Sequence, residues 1–210
     1  MNRIRLKFGV LFVLYLIQFN AYTQSDWDTF KKQPFPLKIW AITHPFKVKK
    51  AYKISLEAQK VSDSISNSNL FERSISEGKN DAFRHAYWMA LLNQKIGKNA
   101  AISLGKAYER ANKGTFRKRK LEEGILPDKA SKKMDLYNNK KGVLYTQKKV
   151  TISKKALVYK VINAVYKGDL KMIKRDSLGN YLTCKGEIIP LQKLKHTWKN
   201  NKCLVLTNSK

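Results

Sequence analysis

The stretch that most limits what this chain can become is Asn80 to Leu92: Asn-Asp-Ala-Phe-Arg-His-Ala-Tyr-Trp-Met-Ala-Leu-Leu. It reads as a helix. Positions three and four apart share a helix face. Asp81, His85, Trp88 and Leu92 therefore form one stripe. An acid and an imidazole lie on the same line as two large apolar groups, and that line is expected to point inward. The imidazole should then be at least partly buried and hydrogen-bonded. The stretch is the candidate site, though it names no reaction.

The rest of the chain supplies helices for it to pack against. Ala51, Ile54, Ala58, Val61 and Ile65 recur at helical spacing and predict a helix over Phe46–Ile65. Residues 62–76, rich in Ser and Asn, form a loop or frayed end. The central helix runs to about Ile96, where Gly97 is placed to end it. A third helix covers Lys98–Asn112, with Glu109 beside its apolar stripe. Pro127-Asp128 opens a fourth, through about Tyr145. Ser153 caps a fifth over Lys154–Lys167, closed by Gly168. After Gly168 the period changes. Leu170–Lys174 and Tyr181–Cys184 flank a turn and predict a hairpin, to which Cys203–Leu206 adds a short strand. The expected fold is mainly α: a bundle of four to five helices over residues 46–168, with a small β hairpin or tail over 169–210. Residues 24–45 hold three prolines and are expected to form an irregular arm anchored by Trp27, Phe30, Phe35 and Trp40, with His44 at the surface.

Polar groups stand where apolar stripes call for hydrocarbon: Asp81, His85, Asp135 and Asn138, with Glu109 alongside. Burying such a group unpaired costs about 1–3 kcal/mol. The economical arrangement gathers them so that they satisfy one another, and Arg84 could neutralise Glu109 or Asp135. Three readings follow. His85 beside a carboxylate is a general base. His85, Asp81, Glu109 and Asp135 could hold a metal. Or the group is a buried polar knot that fixes helix register. No His-Glu-x-x-His, no Gly-x-Ser-x-Gly and no phosphate-cradling glycine loop occurs.

Three motifs in order resemble an uncharacterised bacterial domain-of-unknown-function family. They are Asn80-Asp81-Ala82-Phe83-Arg84-His85-Ala86-Tyr87-Trp88, then Leu104-Gly105-Lys106-Ala107-Tyr108-Glu109, then Met134-Asp135-Leu136-Tyr137-Asn138-Asn139. The family is seen in exported Bacteroidota-type proteins and at the ends of larger, toxin-like chains. The resemblance covers about Pro45 to Gly168, and Leu204 to Asn208 is similar too. It implies site roles for Asp81, Arg84, His85, Glu109, Asp135 and Asn138, and no established activity. Tyr108 and Tyr137 stand where the family pattern often has His, and Met89 where Asn is common.

Composition bounds the partners. Lys and Arg number 43 against 15 Asp and Glu, a net charge of +28. Such a balance fits either a surface kept soluble by like charge or a polyanion partner: anionic lipid, nucleic acid or acidic glycan. Phe116-Arg117-Lys118-Arg119-Lys120 is the best local run for phosphate contacts. Lys outnumbers Arg, which weakens base-specific recognition. Arg3, Arg5 and Lys7, the apolar run Phe8–Phe19 and the small-residue pattern Ala21-Tyr22-Thr23 read as a signal peptide over residues 1–23. The protein is then exported, periplasmic or secreted, with no integral membrane span after cleavage. A membrane anchor is the rival reading of the run. In an oxidising compartment Cys184 and Cys203 can pair; two buried thiols are the alternative. The function expected is a hydrolase-like or metal-assisted site around His85. The alternatives are a noncatalytic polyanion binder with a structural knot, and a secreted antibacterial effector.

Overall fold

A computed structural model describes residues 27–71, 76–121, 124–148 and 150–209. The expected signal peptide lies outside them. A helical run at residues 27–32 leads into α1 (Phe35–Thr43) and a 3-10 turn (Pro45–Lys47). Then come α2 (Val48–Asn67), α3 (Lys79–Ile96), α4 (Lys98–Arg117), α5 (Lys129–Val143) and α6 (Lys154–Lys167). The chain ends with β1 (Lys171–Ile173), the short α7 (Leu191–Lys195) and β2 (Leu204–Leu206).

The bundle is built around α3. It packs against α2, α4, α5 and α6 alike. From Asn80 to Ile96 every side chain is buried except Arg84 and Lys95. The stripe through Asp81, His85, Trp88 and Leu92 is buried as expected, but so is nearly everything beside it. Polar residues toward the carboxyl end of this helix meet partners from its neighbours. Asn93 Nδ2 donates to the Val143 and Thr146 carbonyls at 2.8 and 2.7 Å, closing the carboxyl end of α5. Thr146 Oγ1 donates back to the Ala90 carbonyl at 2.7 Å.

The α3–α5 crossing sets the geometry of the site. A Cβ at Gly142 would overlap the Ala86 carbonyl and Cα, so only glycine permits the two backbones to come this close. His85 precedes Ala86, and Asp135 and Asn139 lie one to two turns before Gly142. The amino end of α5 is held by a capping box: Asp128 accepts from the Ala130 and Ser131 amides, and Ser131 Oγ accepts from the Asp128 amide.

Two expectations are corrected. The arm is not irregular throughout. Pro34 and Pro36 fall at the amino end of α1, where a missing amide hydrogen is tolerated. The regular strand pair is also different. β1 pairs antiparallel with β2, Lys171 opposite Leu206, whereas Tyr181–Cys184 makes only isolated bridges to Arg175 and Ile188. The final segment is drawn inward to close α6: Thr207 Oγ1 donates to the Val165 carbonyl, and Asn208 Nδ2 to that of Lys167. Cys184 and Cys203 form a disulfide.

Candidate functional site

Asp81, His85 and Asp135 meet where α3 crosses α5. His85 Nε2 lies 3.4 Å from Asp81 Oδ1 and 3.4 Å from Asp135 Oδ1. Its Nδ1 lies 3.2 Å from Asn139 Oδ1. Each of the three residues is at most 5% exposed. Asp81 is fixed from two further sides. Arg84 Nη2 donates to its Oδ1 at 2.6 Å, and the Glu77 amide donates to its Oδ2 at 2.8 Å. Asp81 sits in the first turn of α3, where a carboxylate favours the helix dipole.

Burial opposes charge on all three groups, and neighbours decide the outcome. For His85, burial would lower the pKa, but Asp135 and then Asp81 push it up to about 10. An acceptor faces each ring nitrogen. For Asp81, burial is overcome by Arg84 and His85, and the carboxyl is held below the usual range. For Asp135, burial raises the pKa, Glu109 and Asp81 add to that, and only His85 and Arg84 oppose them. Asp81, Asp135 and Glu109 outnumber Arg84 and His85 by one charge.

The other expected members fall in different places. Glu109, fully buried on α4, accepts from Asn112 Nδ2 at 3.0 Å and makes its field felt at Asp135. Arg84 pairs with Asp81, its charge is also felt at Asp135, and it is the member nearest solvent, its side chain 16% exposed. Asn138 has another task. Its Nδ2 donates to the Lys171 carbonyl and its Oδ1 accepts the Lys171 amide, both at 2.9 Å, so it docks β1 onto α5. The partner of His85 is Asn139, the i+4 neighbour of Asp135. Tyr108 is edge-on to Trp88, and the Tyr137 ring lies under Lys141 and Lys171.

A second buried network was not expected. Lys202 Nζ lies 2.9 Å from Glu77 Oε1 and 2.7 Å from Asp128 Oδ2, over the Tyr181 ring. Arg175 donates to Tyr181 Oη at 2.7 Å and reaches Glu77 at 3.5 Å. Glu77 takes part in both networks: its side chain grips Lys202 and its amide holds Asp81. The only signal in sequence was a lysine beside a disulfide cysteine, which is too common to point anywhere.

A protein-family profile described as a domain of unknown function, DUF6973, matches residues 38–169. The chain belongs to the DUF6973 family. That match runs from within α1 to just past the end of α6 and so includes every residue of the His85 cluster. No curated protein and no solved structure matches the chain. The DUF6973 segment stops before Lys171, Arg175, Tyr181 and Lys202, all of which are wired into it.

Proposed function

We propose that this protein is an exported, metal-assisted hydrolase whose divalent cation is held by Asp81, His85 and Asp135. One observation carries the reading. One ligand atom from each residue lies within 4.8 Å of the others, in a buried setting. The 3.4 Å spacing of His85 Nε2 from both carboxylate oxygens is long for charge-assisted hydrogen bonds of about 2.7–2.9 Å. It equals the edge of a tetrahedral centre, roughly 3.4 Å for bonds of about 2.1 Å. His85 Nδ1 opposite an amide oxygen is the outer support that a ligating histidine ordinarily has. The surplus of acidic over basic groups in the cluster, Asp81, Asp135 and Glu109 against Arg84, suits a divalent cation once His85 is neutral.

Such a cation supplies a Lewis acid and lowers the pKa of water toward neutrality. The side chains define the rest. Asp81 and Asp135 provide the negative charge, Asn139 fixes the ring, and Glu109 stands by Asp135 as a proton acceptor. Arg84, on the solvent side, is the group to meet an anionic part of the substrate. Export is supported by the basic amino end, the apolar run that follows it and the disulfide.

Calorimetric titration of chelator-treated protein with zinc and with manganese tests the site. The expected result is one ion per chain, lost at least tenfold in affinity in His85→Ala and Asp135→Ala. Folded wild type that takes up neither ion would overturn the metal reading. The depth of the cluster favours a second reading, the polar knot. In that case His85→Ala melts lower and no ion binds. The lysine excess supports polyanion binding as a separate property of the surface. Affinity for heparin should fall steeply with salt; a flat response would remove it.

A further inference from the structure

The amino-terminal face of the bundle is apolar where nothing among the described residues covers it. α1, Phe-Pro-Leu-Lys-Ile-Trp-Ala-Ile-Thr, contains one charged residue. Its inner side packs on α4 through Leu37 and Trp40, whose Nε1 donates to Ser103 Oγ at 2.9 Å. Its outer side is no more polar. Phe35, Ile39 and Ile42, spaced four and three apart, are 73%, 45% and 65% exposed, and Phe46 just beyond is fully exposed. A helix apolar on all sides ordinarily has protein or lipid on all sides, and a contiguous exposed apolar patch marks an interaction surface.

The surroundings say which. Residues 29–56 hold seven lysines and no Asp or Glu. Lys38 borders the stripe, and Lys47, Lys49 and Lys50 follow Phe46. Lys47 also leads into a cavity of about 550 Å³ that is lined by Lys98 and Lys148 and by no acidic residue. Lys148 lies across Gly97, where α4 begins. Apolar side chains ringed by lysine match a bilayer that presents anionic headgroups over hydrocarbon. A second copy of the chain, itself at +28, would set lysine against lysine.

We propose that Phe35, Ile39, Ile42 and Phe46 insert into an anionic phospholipid bilayer, with a lipid phosphate seated in the Lys47/Lys98/Lys148 cavity. The protein then lies on the membrane; no helix among the described residues is long and apolar enough to cross one. The proposal narrows the polyanion reading to lipid and is independent of the metal.

The test uses the chain from Gln24 on, freed of metal by chelator that is then removed, with vesicles of phosphatidylglycerol and phosphatidylcholine in roughly a 3:7 ratio or of phosphatidylcholine alone. A spin label on Ile42→Cys should lose access to a water-soluble nickel reagent and gain access to oxygen on the anionic vesicles only. A label on Lys106→Cys, on exposed α4 surface, should not change. Ile42→Asp with Phe46→Asp, and separately Lys98→Glu with Lys148→Glu, should each reduce vesicle affinity tenfold or more, with the fold intact by circular dichroism. A label at residue 42 that stays in water overturns the proposal. So does equal insertion into neutral vesicles, or an Ile42→Asp change that dissolves a dimer and leaves vesicle binding untouched. Heparin retention without vesicle binding overturns the lipid assignment and leaves the polyanion reading standing. Vesicle insertion without heparin retention does the reverse. Inorganic phosphate at millimolar concentration should not release bound protein; full release would make the cavity a free-anion site and overturn the lipid seat.

Discussion

His85 holds its proton in the folded protein because two carboxylates outweigh the effect of burial. Its folded pKa of about 10 stands above the ordinary value of 6.5. Between those two values the folded state keeps a proton that the unfolded chain releases. The contribution to stability is therefore complete below about pH 6.5 and is lost as pH rises toward 10. Chelator-treated wild type should lose on the order of 1–3 kcal/mol across that window, relative to His85→Gln, by urea unfolding. Equal slopes for the two proteins would show that the ring is neutral when folded. Metal affinity should move the opposite way and strengthen with pH, because the ion must displace the same protons. Asn139 should matter to this balance and Asn138 should not. Asn139→Ala removes the acceptor on Nδ1 and should cost metal affinity about tenfold, whereas Asn138→Ala should loosen β1 and leave the site's affinity near wild type.

Among the elements, α3 and α5 depend on one contact. Gly142→Ala would press a methyl group into the Ala86 backbone. Relief requires the helices to move apart, at roughly 1–3 kcal/mol. Because the crossing also sets the distance from His85 to Asp135 and Asn139, metal affinity should fall with the melting temperature. Much of this element-level layout was legible in the chain. Periodicity and caps gave α2 to α6 nearly to their ends, and unpairable polar residues on Asp81, His85 and Asp135 pointed to their meeting. Other features were hidden for physical reasons. A helix surrounded on all sides has no polar face, so the stripe on α3 understated its burial. Asp135 has neighbours at both i+3 and i+4, and pattern alone cannot say that Asn139 turns to His85 while Asn138 turns to β1. The three prolines masked α1 because two of them occupy the one helical end that tolerates them. The pairing of β1 with β2 joins segments far apart in the chain, a choice made by α6 closure rather than by local turn chemistry.

At the scale of the whole molecule, the family match and the folding unit have different edges. Residues beyond 169 supply most of a second, smaller apolar cluster, in which Ile173, Tyr181 and Ile189 pack on Ala130 and Met134, and they carry Lys202, a countercharge for two buried carboxylates, Glu77 and Asp128. Cys203, bonded to Cys184, is the next residue and fixes where that lysine stands. Glu77 passes the constraint on, since its amide anchors Asp81. Lys202→Met should leave Asp128 without its countercharge and Glu77 with only the longer contact to Arg175, and destabilise the protein by about 3–5 kcal/mol. Opening the disulfide with Cys184→Ser and Cys203→Ser is milder. A closed loop with a sequence separation of 19 contributes roughly 3 kcal/mol by chain entropy, and the lysine can still reach its partners in the folded state. The two changes should therefore separate in a hydrogen-exchange measurement at Glu77. In the serine variant its amide should exchange faster only in proportion to the lost global stability. In Lys202→Met it should exchange faster than the remaining core, because the Glu77 side chain no longer holds that backbone against Asp81. If the Glu77 amide tracks the core in both, the carboxyl-terminal segment stabilises the fold without positioning Asp81.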